Sequence, residues 1–140
     1  MVYVIFTPMN ELLSKYIEQI KTDLEINQIN IADVARKLPV RRHFWAARLI
    51  EHKIKITDLE KQKQRILKEV SQKIINEAPV KIESKNINKA AEQSDTVQKI
   101  NEEIADNKNI VEFLEQVQRN FFSATYDVKN VIDILKLEQT

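Results

Sequence analysis

Apolar residues along this chain recur mostly at helical spacing and almost nowhere alternate. From Trp45, steps of four and three meet Leu49, His52, Ile56, Leu59, Lys63, Ile66, Val70 and Lys73. That 3.5-residue period keeps one seam turned towards a partner helix. No Pro or Gly interrupts Arg41–Ile75, so the pattern predicts one rod over 41–75. Fully helical, it would be roughly 50 Å long at 1.5 Å per residue, against a radius of gyration of about 14 Å for a compact domain of this size. Such a rod needs a partner. Upstream, Leu12, Leu13, Tyr16, Ile17, Ile20 and Leu24 predict a helix capped by Asn10 and fading near Asn27. Ile31, Val34, Ala35 and Leu38 predict a short second helix capped by Asn30. Pro39 disfavours helical geometry at Leu38, which places a break at 38–40.

Beyond the rod, which is expected to end near Asn76 with Pro79 as a stop, the periodicity lapses. Residues 76–93 read as a connector, with a brief extended segment at 80–84 and a short helix near 86–93. Ser94 and Asp95 then open a second long helix over 94–136, with Gln98 in capping-box register to Asp95. Val97, Ile100, Ile104, Asn107, Val111 and Leu114 form its first stripe. A second stripe takes over through Ile110, Phe113, Val117, Phe121, Ala124, Val128, Ile132 and Leu135. The apolar face therefore widens, enough to pack within a subunit and against a neighbour. Val117, Phe121, Ala124, Val128, Ile132 and Leu135 are the expected oligomerisation residues, and a break is expected, if anywhere, near 123–126. The predicted fold is all-α, a single domain built on an antiparallel pair of long helices, 41–75 and 95–118, with shorter flanking helices and an N-terminal arm at 1–9.

Charge changes the picture more than composition does. The 140 residues carry a net charge of +1, yet 41–75 holds ten Lys/Arg against four Asp/Glu, while 1–40 is slightly acidic and 76–140 more so. A basic helix between acidic segments suits a localised polyanion contact or self-complementary packing between subunits. On its polar side Arg41, Arg48 and Lys55 share one heptad position, and Lys61 and Lys68 share the adjacent outer one with Arg65 nearby. A row of cations along a rod can follow a phosphate backbone and gain from counterion release. The competing reading is a solvated coiled-coil face whose cations pair with the acidic C-terminal helix.

Glycine is absent, so Walker A loops, dinucleotide-binding turns and nucleophile elbows cannot be built. Cysteine is absent too, which removes disulfides and thiolate chemistry and suits a reducing cytoplasm. His43 and His52 are nine apart, not at the i, i+4 spacing of a helical metal site, and read as a solvated residue and a seam residue. Nothing calls for an enzyme, a cofactor or a metal. No apolar run approaches the roughly 20 residues of a membrane span, and Met-Val-Tyr-Val-Ile-Phe lacks the basic start and cleavage site of a signal peptide. Phe44, Trp45, Phe121, Phe122 and Tyr126 could stack on unpaired bases, but their helical spacing favours packing.

Several segments resemble the UvsY-type recombination mediators of T-even and related myoviruses. SDTVQKINEEIADNKNIVEFLEQV followed by ATYDVKNVIDI resembles the family's Ser-Asp helix opening, its apolar-Glu-apolar-Leu run and its closing aromatic-x-[Ile/Val]-Lys-Asn-x-Ile segment. LEKQKQRILKEV resembles its Lys-rich central helix, and DVARKLPVRRHFW its proline-containing entry into that helix. The resemblance covers about residues 17–135. It implies a ring-shaped homo-oligomer, hexameric or heptameric, that binds single-stranded DNA without sequence specificity in the cytoplasm of an infected bacterium. It also implies contact with a RecA-like phage recombinase and help in displacing the single-strand-binding protein. Lys68 matches a DNA-contacting position of the family's central helix. A neighbouring basic position falls on Val70, and the family's aromatic-rich stretch after that helix is replaced by SQKIINEAP, so the contact is expected to be distributed differently here. The expected DNA-binding residues are Arg41, Arg48, Lys55, Lys61, Arg65 and Lys68. The rival is a non-catalytic coiled-coil scaffold with no nucleic-acid role.

Overall fold

Proline is welcome at a first helical position and costly inside a helix, and this chain uses it in both places. A computed structural model describes residues 8–139, with side chains from Glu11. It contains four helices, α1 (Pro8–Asp23), α2 (Ile31–Glu77), α3 (Ser84–Glu92) and α4 (Asp95–Glu138), and no strand among the described residues. The expected arm at 1–9 lies outside the described residues up to position 7. Its last two residues already belong to α1, which starts at Pro8 rather than at a cap on Asn10, since the ring fixes a helical φ.

Contacts gather the described residues into two compact units, one made of those up to Glu51 together with those from Ile110 onward, the other His52–Asn109. In the first, α1 ends four residues earlier than its apolar pattern suggested, because Asn27 and Asn30 build the reversal without glycine. The Asn27 side-chain oxygen accepts from the Ile29 and Asn30 N–H groups at 2.9 and 3.0 Å, and the Asn30 oxygen accepts from the Asn27 N–H at 2.8 Å. Asn30 still opens α2 through its carbonyl, which accepts from the Val34 N–H at 2.9 Å.

The break expected at 38–40 does not occur. α2 runs 47 residues straight through Pro39. Pro39 removes one hydrogen bond, to the Ala35 carbonyl, but it sits on the exposed side, while Val34, Leu38 and Trp45 on the other side are buried in a common core. Burial of those side chains outweighs the local preference. Trp45 is fully buried, with edge-on contacts to Tyr16 and Phe44 at centroid distances of 5.3 and 5.0 Å. Its indole N–H donates to the Asp23 carboxylate at 3.0 Å. Arg41 donates to the Asp23 carbonyl at 2.9 Å, so Asp23 ties the end of α1 to α2. Burial raises the Tyr16 phenol above its ordinary pKa.

The same core takes in Ile110, Leu114, Val117, Phe121, Ala124 and Val128 from α4. α4 is unbroken at 123–126. The Thr125 hydroxyl bonds back to the Phe121 carbonyl at 3.4 Å, which accommodates a poor helix former inside the helix.

In the second unit, α2 and α4 run antiparallel, as expected. Leu59 packs with Ile100 and Ile104, and further along α2 Lys63 reaches Glu92 of α3 at 3.6 Å. α2 ends at Glu77, two residues before Pro79, residues 78–83 form neither helix nor strand, and the short helix α3 buries Ile87 and Ala91. Ser94 caps α4, its hydroxyl accepting from the Val97 N–H at 3.4 Å. Gln98 does not form the expected capping box. Its side-chain amide instead donates to the Glu92 carbonyl at 2.7 Å, so it fastens the end of α3. Where the seam pattern places His52 and Asn107, the structure buries both as a polar pair. His52 Nδ1 lies 3.0 Å from the Asn107 side-chain oxygen, and the Asn107 amide donates to the Glu103 carbonyl at 2.8 Å. Burying an amide is tolerable when both of its ends are bonded in this way.

Candidate nucleic-acid interface

On a helix that advances about 100° per residue, whatever faces away from the seam faces solvent. With His52, Leu59 and Ile66 on the inner side of α2, Lys61, Arg65 and Lys68 fall on the opposite side. Lys61 and Lys68, seven residues apart, differ by only about 20° around the axis, and the trio spans about 10 Å of helix. All three are exposed, and among the described residues no carboxylate lies within ion-pair distance of any of them. Lys55, one heptad before Gln62 and about a third of a turn round the helix from the trio, is likewise exposed and unpaired.

The remaining expected cations are engaged. Arg41 is half-buried, its guanidinium 3.6 Å from the Asp23 carboxylate in addition to the carbonyl bond. Arg48 pairs with Glu51 and lies over the Phe44 ring, 4.4 Å from its centroid. Both belong to the first unit and Lys55, Lys61, Arg65 and Lys68 to the second. The structure therefore brings Lys61, Arg65 and Lys68 together on one side, leaves Lys55 exposed nearby, and commits Arg41 and Arg48 to packing.

Lys63 is taken up by Glu92, and Lys108 of α4 stands 3.9 Å from Glu60. Lys108 was not legible as a site residue, because only the pairing of α4 with α2 brings it beside the row. Two hollows flank the row on one side. One, of about 540 Å³, lies between α2 and α4 and includes Lys61, Gln64, Asn101 and Lys108 in its lining. The other, of about 710 Å³, lies between α2 and α3 and is lined in part by Gln64, Leu67, Lys68 and Asn88. Electrostatically the arrangement offers point charges on an open ridge, suited to phosphates, and no cluster of ligands that could hold a metal among the described residues.

Five of the six residues expected to mediate oligomerisation lie within one chain's own packing. Val117, Phe121, Ala124 and Val128 are buried in the core of the first unit, Ile132 packs against it, and Leu135 is half-buried. What α4 leaves open is a different set. Phe122 and Tyr126 are 56% and 58% exposed and stack edge-on with each other at 5.7 Å, and Ile134 and Leu137 are exposed further along. Of the five aromatics considered for base stacking, Phe44, Trp45 and Phe121 pack inside. No helix among the described residues is long and apolar enough to cross a membrane.

A family model described as "Recombination, repair and ssDNA binding protein UvsY" matches residues 19–140. No curated protein sequence matches the chain. Three crystal structures of the bacteriophage T4 recombination mediator protein UvsY resemble it in fold. The lattice type IV structure has a TM-score of 0.78 and 16% identity, covering 90% of this chain and 98% of that one. The lattice type II structure gives 0.75, 15%, 91% and 98%, and the lattice type I structure 0.71, 16%, 86% and 96%. At such identities the likeness speaks for the fold alone.

Proposed function

Because the chain belongs to the UvsY family, we propose that it is a recombination mediator that grips single-stranded DNA through Lys55, Lys61, Arg65 and Lys68 of α2. The observation that supports this most is that these four cations are exposed, with no carboxylate within ion-pair distance among the described residues. A scaffold whose basic helix served to pair with acidic neighbours would have used them internally, as Lys63 and Arg41 are used.

In this reading the protein promotes loading of a RecA-like recombinase onto strands covered by single-strand-binding protein, in the cytoplasm of the infected host, and does so without catalysing a reaction. Each subunit supplies a sequence-independent phosphate contact. A homo-oligomeric ring, hexameric or heptameric, multiplies that contact and bends the strand, which loosens the resident protein and lowers the entropic cost of nucleating a recombinase filament. The apolar strip of Phe122, Tyr126, Ile134 and Leu137 supports assembly, since such a surface on one helix is the kind that subunits cover.

Salt titration of binding to a labelled oligonucleotide tests the proposal. A mediator binds with a steep log-log dependence on salt. A scaffold shows no appreciable affinity at modest salt, and that result would retire the reading.

A further inference from the structure

The two hollows beside the cationic row share Gln64, and together they run from Thr57 to Ile75 along one side of α2. Taken together as one trough they span about 27 Å at 1.5 Å per residue, with the Lys63–Glu92 pair linking a lining residue of one hollow to a lining residue of the other. Lys61 and Lys68 stand along its rim. Inside it the chemistry changes: Gln64, Asn88 and Asn101 bring side-chain amides to it, the Gln72 amide donates to the Asn76 side-chain oxygen at 2.9 Å, and Leu67 and Ile104 bring apolar surface. The carboxylates that reach it are compensated, Glu60 by Lys108 at 3.9 Å and Glu92 by Lys63 at 3.6 Å.

We infer that this trough is a base-contact site: with phosphates held on the rim by Lys61 and Lys68, unpaired bases of the same strand turn into the trough and meet its amides and apolar floor. The inference rests on the phosphate-binding role proposed above and extends it to the bases. Amides carry both a donor and an acceptor, so they can pair with the exposed edge of any base without selecting a sequence. A duplex offers the same phosphates, but its base edges are already paired and its width keeps them off the trough floor. The trough thus gives the protein a physical reason to prefer single strands. Its length accommodates roughly four to eight nucleotides, at the 3.4 Å rise of a stacked strand and up to twice that when extended.

The test compares oligo-dT with an abasic oligomer of equal length and charge, using the full-length protein. Losing two amide hydrogen bonds corresponds to about tenfold or more in affinity, so wild type should bind oligo-dT about tenfold or more tightly than the abasic strand. The variant Gln64→Ala/Asn88→Ala, both exposed positions, should bring that ratio close to one while leaving the salt slope unchanged. Equal binding of both strands by wild type, with a steep salt slope, would overturn the base-contact site and leave phosphate binding standing. An unaltered ratio in the variant would overturn the assignment of the trough residues. Failure of wild type to bind either strand would overturn the phosphate role and the trough with it.

Discussion

Replacing Lys61, Arg65 and Lys68 together by Ala is the perturbation whose outcome follows most directly from the geometry. Each cation is exposed and none is within ion-pair distance of a carboxylate among the described residues, so the folded chain should lose nothing from their removal. Lys61 and Arg65 are like charges at i, i+4, a pairing that costs a few tenths of a kcal/mol, and the triple variant should melt at or slightly above the wild-type temperature. Binding should change sharply. For a single strand, log affinity falls with log salt at about 0.7 per neutralised phosphate, so three contacts contribute a slope of about 2 per engaged subunit. Between 50 and 200 mM salt that amounts to roughly a 20-fold loss of affinity per subunit, and more where several subunits hold one strand. Fluorescence anisotropy with labelled oligo-dT across a salt series measures the slope, and circular dichroism with light scattering confirms fold and mass. A variant with the wild-type slope and a normal fold would refute the placement of the phosphate contacts.

Trp45→Ala should destabilise by about 3–5 kcal/mol in urea unfolding, from the cavity and the lost bond to Asp23. Asn107→Ala removes the acceptor facing His52 and should cost about 1–3 kcal/mol. Pro39→Ala restores an N–H to an uninterrupted helix and should raise stability by about 1–3 kcal/mol, whereas a drop would mean that the proline sets a bend the packing requires. Phe122→Ser/Tyr126→Ser should lower the assembled mass by light scattering while preserving helicity, and an unchanged mass would move the assembly surface elsewhere.

The long helices were legible because their apolar residues repeat over many turns, and a repeat that long has no other way to bury itself. Trp45 and the Val97 to Leu114 stripe went where their spacing sent them. Pro39 misled because the rule against proline is local, whereas the continuity of α2 is decided by what Val34, Leu38 and Trp45 bury. The stripe ending in Leu135 is broad enough to pack both within a subunit and against a neighbour, and the structure puts its upper part in this chain's own core. Periodicity shows that a face is buried and is silent on what buries it. The cationic row was half legible for a similar reason. Heptad position placed Arg41 and Lys61 alike on a polar side, but only the fold puts Asp23 beside one of them and solvent beside the other. The amides of the trough carried no signal at all, since Gln and Asn on a charged helix read as ordinary surface until α3 and α4 close over them.

The central claim is that the ridge of α2 touches nucleic acid, and lysine footprinting tests it most directly. Acetylation of Lys61 and Lys68, read by mass spectrometry, should fall when a single-stranded oligonucleotide is added at low salt and recover at high salt. Equal labelling of both lysines with and without bound oligonucleotide would contradict the account.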